Sequence, residues 1–214
     1  MINIDVIPIN PWQENTYILS DESGECVIID PGCLSSEECE LVSSFIDNKG
    51  YKPVRLLQTH LHLDHVFGTK YIAEKYDLKL EAHLADEFFI GQTVEYAAQF
   101  GVQVASNPPA IGTYLENGDK VSFGNSILEV IHVPGHSPGG IVFYSKADDI
   151  AIVGDVLFRE SIGRADLPGG DYDTLIASIK SKLLVLNDEV KVYPGHGPST
   201  TIGHERSNNP FLNQ

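Results

Sequence analysis

Cysteine is scarce and confined: Cys26, Cys33 and Cys39 are the only three in 214 residues. An odd set within one short stretch excludes a disulfide framework, so the thiols are expected to be reduced and buried. No CxxC pair is present, which leaves thiolate metal binding without support. Basic residues are also few, 14 Lys and Arg against 30 Asp and Glu, for a formal net charge of −16. A surface of that sign repels nucleic-acid phosphate and anionic membranes, and no basic stripe exists to grip a phosphate backbone. No apolar run approaches the length needed to span a bilayer, and the opening MINIDVIPINPWQ has neither a basic nor an apolar leader region. Repeats, low-complexity tracts and linkers are absent too. The expectation is one domain over residues 1–214, cytoplasmic, with a small-molecule substrate and with neither nucleic acid nor membrane as partner. Oligomeric state leaves no trace in the sequence.

What is present is an ordinary globular composition, 42% hydrophobic and 21% charged, with 19 Gly and 12 Pro that point to a loop-rich α/β fold. β-Branched and aromatic segments predict strands at residues 1–9, 16–19 and 26–29, with turns at Asn10-Pro11 and at residues 21–24. Ser35, with Glu38 three positions on, opens a helix whose apolar positions Leu41, Val42, Phe45 and Ile46 recur at helical spacing until Gly50. Further strands are predicted at 54–58, 79–82, 120–123, 126–133, 141–144, 150–153 and 190–193, and helices at 69–76, 86–100 and 172–184. Residues 103–112, containing Asn107-Pro108-Pro109, read as a mobile loop.

The chemistry gathers where strands end. After the 54–58 strand comes Thr59-His60-Leu61-His62-Leu63-Asp64-His65, three imidazoles and a carboxylate within six residues. In an extended or tightly turned segment, His60 and His62 project to one side and chelate one cation, while Asp64 and His65 reach a second after the chain turns. Imidazole and carboxylate without thiolate imply two divalent metal ions, zinc foremost, with Fe or Mn as alternatives. One loop cannot complete either coordination sphere, and three more strand ends carry a suitable residue beside a glycine: His136, Asp155 and His196. Single histidines are more often structural than ligating, so His83, His132 and His204 are given no role. Asp30, in Asp30-Pro31-Gly32, either supports the ligand loop from behind or is plain turn chemistry, and it stays outside the ligand set. Arg159 and Arg164 either neutralise a substrate carboxylate or are simply solvated, while Trp12 and Tyr17 read as packing residues.

The order HxHxDH, then GH, GD and a final GH resembles the metallo-β-lactamase superfamily, and the resemblance covers nearly the whole chain. It implies a four-layer αββα sandwich with the metal site at one edge of the two sheets. Carried over by motif, His60, His62 and His136 would hold the first metal, Asp64, His65 and His196 the second, and Asp155 would bridge both. Within the superfamily, GDVLFRESIGRADLPGGDYDTL and YPGHGPST look most like the short glyoxalase II-like (hydroxyacylglutathione hydrolase-like) enzymes. Two cations sharing a water lower its pKa toward neutrality, giving a bridging hydroxide able to attack a thioester carbonyl carbon. Asp155 would fix the inter-metal distance, and Asp64 would orient the nucleophile and take up its proton. After His196 the sequence carries a single Lys or Arg, Arg206, so no counterpart is expected of the basic helical extension that binds glutathione in full-length glyoxalase II. A different thioester or a lactone is thus left open. The resemblance also admits a mononuclear iron, persulfide dioxygenase-like sulfur oxidation.

Overall fold

Antiparallel pairing begins at the N-terminus, where turns at Asn10 and Asp21 fold each strand onto its predecessor; Gln13 N donates to Asn10 O at 3.1 Å and Gly24 N to Asp21 O at 3.0 Å. The computed structural model describes residues 1–213. Strands β1 (Asn3–Ile9), β2 (Glu14–Ser20) and β3 (Glu25–Ile29) form the predicted meander. Strands β4 (Lys52–Leu57), β5 (Leu80–Ala82) and β6 (Ile111–Tyr114) then add in parallel, completing a six-stranded sheet in sequence order. The second sheet is built from β7 (Lys120–Phe123), β8 (Ser126–His132), β9 (Ile141–Ser145) and β10 (Ile150–Gly154). A short hairpin, β11 (Leu157–Phe158) with β12 (Ser161–Ile162), follows, and β13 (Lys191–Pro194) and β14 (Thr200–Thr201) close the sheet in the order β14-β13-β10-β9-β8-β7.

Period-two burial explains how the sheets stack. Strand β2 is buried at every position: Tyr17 and Leu19 pack against Phe123, Val130 and Phe143 of the second sheet, while Ile18 turns to the opposite face. There it meets helix α1 (Ser36–Lys49), through Val42 and Ile46, and Ile72 of a later helix. Three helices follow β4: α2 (Leu63–Val66), α3 (Thr69–Tyr76) and α4 (Thr93–Gln99). On the outer face of the second sheet, Leu175 of α5 (Tyr172–Ser178) and Ile202 of α6 (Ile202–Asn208) pack against Val142, Ala151 and Val192. The layers are therefore helix, sheet, sheet, helix, each fully buried aliphatic side chain contributing about 1.5–3 kcal/mol. Helix α1 starts and stops as its sequence dictates: Glu38 N donates to Ser35 Oγ at 3.2 Å, Ser35 N donates to Glu38 Oε2 at 3.2 Å, and Gly50 closes it at φ 69°.

Some elements differ from the sequence reading. The 86–100 helix is a 3₁₀ segment, Leu84–Gln92, followed by α4, and the 172–184 helix is α5 continued by a π turn, Ile179–Leu183. Residues 103–112 are not a free loop: Asn107 Oδ1 accepts from Val94 N at 2.9 Å, its Nδ2 donates to Gly91 O at 3.2 Å, and Ile111 enters β6. The pattern missed α2, β6, β11, β12, β14 and α6, all of them short. The three cysteines are free and buried, as expected. Among the described residues no helix is long and apolar enough to cross a membrane.

Candidate metal centre

Strand β4 delivers the chain to Thr59, where the sheet ends and the histidine loop begins. His60 and His62 sit in the loop itself, and because His62 is the N-cap of α2, the first turn of that helix presents Asp64 and His65. His136 follows β8, Asp155 follows β10 and His196 follows β13, so parallel and antiparallel neighbours empty onto the same sheet edge. All seven residues from the sequence reading are brought together there. The candidate ligand atoms of His60, His62 and His136 lie within 4.8 Å of one another, as do those of Asp64, His65 and His196. Asp155 stands between the two groups, its Oδ2 3.7 Å from His136 Nε2 and 3.6 Å from His196 Nε2, its Oδ1 3.4 Å from His65 Nε2.

The outer ring nitrogens decide which way the lone pairs face. His136 Nδ1 lies 2.6 Å from Arg164 O and His196 Nδ1 3.0 Å from Trp12 O, both carbonyls that can only accept. His65 Nδ1 is 3.1 Å from Asp30 Oδ2, and His60 Nδ1 is 3.1 Å from the Thr59 hydroxyl, which itself donates to Asp30 Oδ2 at 2.5 Å. Each outer nitrogen is therefore a donor, which leaves Nε2 of these four histidines as the inward atom, able to offer a lone pair to a cation once any proton it carries is displaced. In the first group His62 Nδ1 stands 2.8 Å from His136 Nε2, and His136 Nε2 stands 3.2 Å from His60 Nε2. Imidazoles sharing a tetrahedral zinc at ordinary bond lengths stand about 3.3 Å apart. His65 Nε2 and Asp155 Oδ1 are buried without any hydrogen-bond partner, which is costly in a protein interior unless a cation answers them. On these grounds the residues fit divalent metal.

Charge is distributed unequally. Burial holds His60 well below the ordinary imidazole range, and burial followed by the neighbouring His136 pushes His62 down to about 3. His136 is lowered by burial as well, so the first group is unprotonated at neutral pH. At the second group burial is overcome: Asp155 and then Asp64 hold His65 well above its usual value, and the hydrogen bond to Asp64 raises His196. Burial acts to raise Asp155, but His65, His136 and His196 keep it ionised.

Two carboxylates lock the loops. Asp30, at φ 51°, accepts from Thr59 N at 2.7 Å besides its bonds to the Thr59 hydroxyl and His65, which settles it as support for the ligand loop rather than plain turn chemistry. Asp86 is the residue the sequence reading missed: its carboxylate takes Leu61 N at 3.1 Å from one histidine loop, and Ser137 Oγ at 2.9 Å and Gly139 N at 2.5 Å from the other. No local signal marks it, since its partners lie 25 to 53 positions away. Gly195 is required by close approach, because a methyl there would collide with Asp155 Oδ1 and His65 Cε1.

Beside the seven residues opens a cavity of about 390 Å³ lined by Trp12, Tyr96, Phe100, Phe158 and Arg164 among others. Trp12 thus borders the site in addition to packing. Tyr17 is buried between the sheets, its hydroxyl donating to Pro194 O at 2.6 Å. His83, His132 and His204 lie outside both groups.

Comparison with known proteins agrees with this arrangement. The chain is 37% identical to hydroxyacylglutathione hydrolase GloC of Haemophilus influenzae, over 99% of each protein. It is 37% identical to the probable metallo-hydrolase YqgX of Bacillus subtilis, over 97% of this chain and 96% of that protein. Among solved structures it matches TTHA1623 in a di-iron-bound form with a TM-score of 0.87 at 38% identity, over 97% of this chain and 100% of that one. The family model described as the metallo-beta-lactamase superfamily matches residues 9–196, from the end of β1 to the last histidine of the site. Fold, site geometry and sequence match thus converge, and the chain belongs to the metallo-beta-lactamase superfamily.

Proposed function

We propose that the chain is a binuclear metal-dependent hydrolase that cleaves a thioester. The observation that carries this reading is Asp155 set between two groups of inward-facing ligand atoms. His60, His62 and His136 would hold one cation, Asp64, His65 and His196 the other, with Asp155 shared. Imidazole and carboxylate donors favour zinc, and the di-iron form of TTHA1623 makes iron the alternative. Two such cations supply Lewis acidity, activating water and polarising a carbonyl. The chain's own residues supply the rest. Asp64 faces the cavity, is held below the ordinary carboxylate range by His65 against the effect of burial, and so remains an ionised acceptor able to take a proton beside the reacting carbonyl. The Asp30 and Asp86 carboxylates fix the histidine loops before substrate arrives, and the aromatic cavity wall offers apolar surface beside the reacting groups. The relationship to GloC supports a thioester as the bond cleaved. The test is release of free thiol from acyl thioesters by metal-loaded protein, in parallel with oxygen consumption on a persulfide. Thiol release without oxygen uptake is expected, and oxygen uptake without thiol release would move the chain to sulfur oxidation.

Two expectations follow at the level of the scaffold. Asp86→Ala leaves donors on both histidine loops without an acceptor, so zinc retention, read by competition with a chelating dye, should weaken by about 10–100-fold. Stability of the metal-stripped protein should peak near pH 6.5. Below that value the unfolded chain takes protons that His60 and His62 refuse, so stability falls as pH drops, by about 1.4 kcal/mol per unit for each such group. Above it the proton retained by folded His65 is already lost from the unfolded chain, so stability declines again as pH rises. Urea midpoints measured across pH 4 to 9 check both limbs, and about equal midpoints throughout would contradict them.

A further inference from the structure

We propose that the cavity beside the metal centre takes an uncharged aromatic group of the substrate, which makes an aryl-bearing thioester, rather than a glutathione conjugate, the preferred substrate class. The assignment rests on the thioesterase reading for the bond cleaved, but the cavity's preference stands on its own observations. Trp12 stacks on Phe67 at 5.7 Å and 23°, meets the edge of Phe100 at 6.5 Å and 90°, and Phe100 in turn meets Tyr96 edge-on at 5.2 Å. These rings brace one another, so the wall is already formed. Yet Trp12 is 39% and Phe100 54% exposed, an unusual amount of open aromatic surface beside a polar centre. Further round the cavity, Phe158 stands 6.4 Å from the His196 ring.

The charges point the same way. Arg164 is the single Lys or Arg lining the cavity, and its guanidinium is clasped by Asp166 at 2.9 and 3.0 Å. Glutathione brings two carboxylates and one ammonium, and the rim offers its carboxylates only one cation, already paired, on a chain of net charge −16. An uncharged ring needs no counter-charge. It gains edge and face contacts on Trp12 and Phe100, and it displaces water from surface that has no hydrogen bonds to lose.

Trp12 is the sole tryptophan, so its emission reports occupancy of the cavity without any need for turnover. Metal-loaded protein is titrated with phenylacetamide, an uncharged aryl amide, and separately with S-methylglutathione. The aryl amide is expected to perturb Trp12 emission with a dissociation constant about tenfold lower. Phe100→Ala should weaken the amide about fivefold and leave S-methylglutathione unchanged. In turnover, the phenylacetyl thioester of N-acetylcysteamine should exceed phenylacetyl glutathione in kcat/KM by about tenfold. Equal or tighter binding of S-methylglutathione, or an aryl affinity indifferent to Phe100→Ala, would overturn the proposal. Aryl binding at Trp12 with neither thioester cleaved would uphold the cavity's preference and remove the thioesterase reading, so the two failures are told apart.

Discussion

Replacing Asp155 by alanine is expected to lower thioester kcat/KM by at least about 10³-fold, equivalent to about 4 kcal/mol of transition-state stabilisation. Bound metal should fall from about two equivalents to one, because the residue that reaches both groups is gone. The fold should survive, since Asp155 Oδ1 has no hydrogen-bond partner and the scaffold does not lean on it. What changes is the electrostatics. His65 loses the nearer of its two site carboxylates, at 3.4 Å against 4.0 Å for Asp64, and the second group loses the anion that most strongly favours a cation there. Metal content and kinetics measured on one preparation check both effects. A variant that keeps two metals and full activity would remove Asp155 from the mechanism.

Asp30→Ala should produce the largest loss of stability. Its carboxylate accepts from Thr59 N, the Thr59 hydroxyl and His65 Nδ1, and it is 1% exposed. Truncation leaves these three donors buried without an acceptor at once, a loss comparable to breaking a buried charge pair, about 3–5 kcal/mol in total. In a chain of this length that lowers Tm by roughly 8–15 °C. The variant should also lose metal at the second group, because His65 is freed to rotate and to hold its proton on the inward nitrogen. Asp30→Asn, which still accepts from Thr59 N but presents NH₂ or a single oxygen to the remaining donors, should fall between the two. Thermal melts with and without added zinc check the prediction, and an Asp30→Ala protein as stable as the parent would contradict the network.

The seven candidate ligands were legible because they combine ligand chemistry with positions just after β-rich segments, and three of them, His136, Asp155 and His196, stand beside a glycine that lets the chain turn sharply. Both sheets and α1 were legible for a related reason, since a period of two and a capping box are local signals. The losses share one cause. Asp86 looks like any acid in a helical stretch, and only the tertiary approach of Leu61 and Gly139 gives its carboxylate work. Asp30 was read as a turn or a support with little to separate them, because its partners Thr59 and His65 lie 29 and 35 positions away. Strand β6 was hidden because Ile111 alone among its residues is buried, which leaves too little apolar pattern to register. Trp12 reads as core by residue type, and its place on the cavity rim follows from Phe67 and Phe100 arriving from distant segments.

Metal analysis of protein purified without added metal or chelator tests the central claim most directly. The account predicts about two equivalents of divalent metal per chain, zinc before iron, with thioester turnover lost on chelation and restored on adding zinc. About one iron per chain, with oxygen consumed on a persulfide and thioesters left intact, would contradict it.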